Sequence, residues 1–119
     1  MIISKDRLER AYIGAQLIEE GFEVEGSANL IQGVSDIRER KIRPELVIID
    51  ASDQDFDKEI VRVLYRLIPD VPLLLIHGAW DNPQTLDWAA GVTKLTRPVT
   101  VVQVVGKVKE VMSRKSDRR

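Results

Sequence analysis

The sequence predicts an α/β fold: a doubly wound, five-stranded parallel sheet in the order 2-1-3-4-5, with helices on both faces. Three observations point there. Strand-like and helix-like hydrophobic patterns alternate through five β-α units along the 119 residues. Two stretches, 45–50 and 71–76, are almost unbroken apolar runs, as strands covered on both faces require. The segments between strands are long enough for right-handed helical crossovers.

Residues 1–4 form the first short strand. A helix follows in which Leu8, Ala11, Tyr12, Ala15 and Ile18 recur at helical spacing and make the expected core face. Gly21 supplies a left-handed cap at its end. Residues 22–26 alternate as a half-buried edge strand does. Asn29 caps a second helix carrying Leu30, Val34 and Ile37. Pro44 stops that region. The strand over 45–50 leads to a third helix with Phe56, Ile60, Val63, Leu64 and Leu67. Pro69 and Asp70 turn the chain into the strand over 71–76, with Pro72 near its start, where a missing N–H is tolerated. Asn82 and Pro83 open a fourth helix with Leu86, Ala89 and Ala90, closed by Gly91. Residues 92–96 are the fifth strand, and Val101, Val104, Val105, Val108 and Met112 give the last helix its apolar face. Residues 1–112 read as one domain, and the basic stretch 113–119 as a tail or the start of a linker.

Composition narrows the function. A formal net charge of −1 gives no basic surplus for direct nucleic-acid binding. With no cysteine, a disulfide scaffold, a zinc-cysteine site and thiol chemistry are excluded, and a reducing cytoplasm fits. The longest apolar run is far short of a membrane span. No glycine-rich phosphate loop occurs. In a sheet of this order, ligands sit at the carboxyl ends of the strands near the switch point between strands one and three. Those ends are Ser4-Lys5-Asp6, Asp50-Ala51-Ser52, His77-Gly78-Ala79 and Thr96-Arg97-Pro98.

The ordered set of these segments resembles the receiver domains of response regulators over about residues 1–112. Residues 44–50 are similar to their third strand, which ends in the phospho-accepting aspartate, here Asp50. Residues 71–76 are similar to the fourth strand, and Thr96-Arg97-Pro98 to the Lys-Pro signature after the fifth. The resemblance implies a CheY-like, flavodoxin-like three-layer sandwich with a cis peptide before Pro98. It also implies two acidic residues at the end of strand one that bind Mg²⁺ with the acceptor. Those positions hold Ser4 and Lys5, with Asp6 next door as a displaced remnant. Mg²⁺ demands hard oxygen ligands in near-octahedral geometry, so two lost carboxylates and an added ammonium work against it. No metal or cofactor is expected, and Asp50 is read either as a phosphoacceptor, surviving or vestigial, or as a structural aspartate that pairs with Lys5 or caps a backbone donor.

The switch positions differ too. His77 stands where the family has Thr or Ser, Lys94 where it has an aromatic, and Arg97 where it has the lysine. Arginine keeps the charge but presents a rigid fork. Asp53, Asp55 and Asp57 read as helix-capping and dipole charge. Trp80 and Trp88 flank the fourth helix; in the family, that helix, strand five and the last helix form the partner face, so both are candidate interface residues. The expectation is an atypical receiver of a two-component-like regulator, not an enzyme, acting through a protein partner or as a homodimer by that face. Two alternatives stand beside it. One is a working receiver phosphorylated on Asp50 by a histidine kinase, with Mg²⁺ held partly by Asp6. The other is a small flavodoxin-like enzyme or carrier that binds an anion through His77 and Arg97.

Overall fold

The computed structural model describes residues 1–51, 57–78 and 92–117. Five strands, β1 (Ile2–Ile3), β2 (Gly26–Ser27), β3 (Val47–Asp50), β4 (Leu73–His77) and β5 (Val92–Thr96), form one sheet of order β2-β1-β3-β4-β5. Every neighbouring pair is parallel. The described helices are α1 (Arg7–Glu19), α2 (Leu30–Glu39), α3 (Lys58–Leu67) and α4 (Val101–Asp117). The expected strand order is the observed one. The helix expected between β4 and β5, with Trp80 and Trp88, lies outside the described residues.

Strand periodicity divides the core into two layers. Ile3, Val47, Ile49, Leu73 and Leu75 face Leu30, Val34 and Ile37 of α2 and Val61 and Leu64 of α3. Ile2, Ile48, Leu74 and Ile76 face Ile13 and Leu17 of α1 and Val104, Val105 and Val108 of α4. Both faces of β3 and β4 are covered, and this is why their sequences show no alternation.

Local signals act as anticipated at several joints. Asn29 Oδ1 accepts the Gln32 N–H at 2.8 Å and starts α2. Gly21 takes φ 93° just past α1, a conformation that glycine adopts without a Cβ penalty. The Arg97–Pro98 peptide is cis.

Four elements differ from the sequence reading. The stripe Leu8, Ala11, Tyr12, Ala15 and Ile18 faces outward, and α1 packs on the sheet through Ile13, Gly14 and Leu17. This helix carries two apolar stripes, and the sheet buries the one with Ile13 and Leu17, with Gly14 between them beside Val24 and Ile2. In α3, Leu64 is buried as expected, but Val63 and Leu67 are exposed, and Val61 and the C-cap residue Ile68 are buried in their place. The second strand pairs at Gly26–Ser27 and not along the whole of 22–26, because β1 offers only Ile2 and Ile3 as partners. Phe22 and Val24 still pack against the core from the approach to the strand. At the other end α4 continues past Met112 to Asp117, so residues 113–117 extend the helix.

Candidate functional site

The carboxyl ends of β1, β3, β4 and β5 converge around Asp50, the last residue of β3. Arg97 leaves β5 with its N–H donating to the His77 carbonyl at 2.8 Å, which anchors the start of the loop. Its guanidinium then reaches back across the sheet. Nη2 and Nη1 donate to the two carboxylate oxygens of Glu9 at 2.6 and 3.1 Å, and Nη2 also donates to Asp50 Oδ2 at 3.0 Å. The paired contact with Glu9 uses the planar fork of arginine, a geometry that lysine cannot reproduce. The three side chains are only 27%, 24% and 12% exposed, so the pairs are partly shielded from water. Hydrogen bonding to Glu9, together with the charge of Asp50, holds the guanidinium above its ordinary pKa against the opposing effect of burial.

Ser4 closes the other side of Asp50. It is buried, and its hydroxyl donates to Asp50 Oδ2 over a long 3.4 Å while accepting the Asp6 N–H at 3.2 Å. Arg10 Nη1 donates to the Ser4 carbonyl. Lys5 follows in the loop, exposed. Asp6, expected as a remnant of the acidic pair, is occupied as the N-cap of α1, where it accepts the Glu9 N–H at 3.0 Å. Asp57 caps α3 in the same way, accepting the Glu59 N–H at 2.8 Å. Asp53 and Asp55 lie outside the described residues.

His77 ends β4 and is 6% exposed. Its Nδ1 lies 2.9 Å from the Gly78 carbonyl, an acceptor only, so Nδ1 carries a proton and donates. Nε2 lies 3.1 Å from the Thr96 hydroxyl. The ring is thus tied to its own loop and to β5. Lys94 sits half-buried in β5, in register with Leu75.

This donor set does not fit the Mg²⁺ of the resembled family. Ser4 and Lys5 stand where carboxylates are needed, and Asp50 Oδ2 already accepts from Arg97 and Ser4. Among the described residues no group of three or more His, Cys, Asp or Glu side chains is placed to hold a metal.

Glu9 is the site residue that the sequence reading missed. Asp6-x-x-Glu9 has the spacing of a capping box, in which the glutamate folds back on its own helix. Here the carboxylate turns outward to a residue 88 positions away. The available signal was the arginine at position 97, whose forked donors call for a second carboxylate.

Solved structures share this architecture over nearly the whole chain. A CheY-like response regulator receiver domain protein from Methanospirillum hungatei JF-1 matches with a TM-score of 0.83 and 20% identity, covering 99% of this chain and 95% of that one. The chain has the receiver fold. A response regulator receiver domain protein from Clostridium thermocellum matches with a TM-score of 0.80 and 20% identity, over 99% and 96% of the two chains. A response regulator from Thermotoga maritima gives 0.75 and 20%, over 95% of each. No protein-family model and no curated protein matches the sequence. In the receiver fold the strand-end site lies at the switch point, and in this chain that place holds the Glu9–Arg97–Asp50 group. Among the described residues no helix is long and apolar enough to cross a membrane.

Proposed function

We propose that this chain is an atypical receiver domain of a two-component-like signalling protein. It works by binding another protein, and Arg97 serves as the resident counter-ion of Asp50 in place of Mg²⁺-dependent phosphorylation. One observation carries the reading: a single guanidinium bridges Asp50 and Glu9 at 3.0 and 2.6 Å. Phosphoryl transfer to a carboxylate needs a free attacking oxygen and cations that neutralise the charge on the transferring group. Here one oxygen of Asp50 is engaged and the neighbouring cation is shared with a second carboxylate, which repels an incoming phosphate. The same sharing weighs against an anion carrier built on Arg97. What remains is a domain whose α1, β3 and β5 loop are held together by its own side chains. Such a domain signals by presenting a fixed surface in the cytoplasm, without catalysis. The partner face assigned to it is β5 and α4, together with the segment between β4 and β5 that carries Trp80 and Trp88 in the sequence.

The test is an amide NMR titration with Mg²⁺ and beryllofluoride, a phosphoryl mimic. The amides of Ser4, Asp50, His77 and Arg97 are expected to stay in place. Metal-dependent shifts at those residues would overturn the proposal and support a working receiver phosphorylated on Asp50.

A further inference from the structure

We draw no further inference here: the strongest candidate, the cavity of about 690 Å³ at the amino end of the sheet between residues 21–25 and 42–46, opens in line with the start of β1, and nothing in the structure shows what fills it.

Discussion

α1 and α2 lie on opposite faces of the sheet, and each is opened by a side-chain cap, Asp6 in one and Asn29 in the other. Each also sends one carboxylate to a fastening point, and there they part. Glu9 of α1 pairs with Arg97, which is 88 residues away and itself shared with Asp50. Asp36 of α2 accepts the Ser27 hydroxyl at 2.8 Å, nine residues back and buried, with Arg40 at 3.7 Å behind it. The first fastening joins three distant segments through partly exposed charges. The second is a local bond between groups shut away from water. A partly exposed shared cation is weakened by salt, whereas a buried local bond is not. The salt-sensitive joint is therefore at the strand-end site, and the fastening of α2 is insensitive to salt.

Removing Arg97 should show the contrast most strongly. Arg97→Met leaves Glu9 and Asp50 facing each other with no guanidinium between them. With these exposures the loss falls between surface and buried ion pairs, about 2 kcal/mol by urea denaturation. Adding Glu9→Gln should return about half of that by removing the repulsion. High salt should stabilise Arg97→Met more than the parent chain, since screening acts on the repulsion between Glu9 and Asp50. An unchanged urea midpoint for Arg97→Met would mean that α1 is not held by charge, and the contrast would fail.

The matching change on α2 is smaller and of another kind. Ser27→Ala removes one hydrogen bond to Asp36 and leaves the carboxylate buried with a more distant partner. The expected cost is about 1 kcal/mol. Measured at low and high salt the cost should be nearly the same, because the bond lost is between two buried groups and the exposed Arg40 pair is present in both chains. A cost that vanishes in salt would make Asp36 another surface pair, and the two helices would then be fastened alike.

The same contrast explains what could be read from the sequence. The sheet was legible because β3 and β4 are buried on both sides, and only unbroken apolar runs satisfy that. The cap at Asn29 and the turn at Gly21 were legible because each is a local requirement of the backbone. The inward face of α1 was not, since two apolar stripes compete on one helix and only the sheet's shape decides between them. Asp50, Ser4 and Arg97 were located by their strand ends, but the charge that organises them comes from Glu9. No local pattern links Glu9 to Arg97, and its spacing from Asp6 points to a capping role instead. Ser27 and Asp36 were missed because their bond depends on how α2 settles against β2.

The smallest expected effects lie at the glycines where these helices meet the sheet. Alanine in place of a helical glycine gains about 1 kcal/mol from backbone entropy alone. At Gly14 an added Cβ would lie 3.4 Å from Val24 Cγ1 and 3.8 Å from Ile2 Cδ1, which is ordinary contact or close to it. Gly14→Ala should therefore stabilise the chain by roughly 0.5 kcal/mol or more. At Gly33 the added Cβ would fall 2.6 Å from Ile3 Cδ1 and 3.2 Å from its Cγ1, and Ile3 is buried in a close-packed layer. The overpacking cost, about 1–3 kcal/mol, outweighs the entropy gain, so Gly33→Ala should be neutral to destabilising. Ile3→Val deletes the clashing Cδ1. It should cost about 1 kcal/mol alone and less in the Gly33→Ala background. Equal responses at the two glycines would mean that both helices sit equally close to the sheet. Opposite signs, with coupling between Gly33 and Ile3, would locate the rigid side of the molecule at α2.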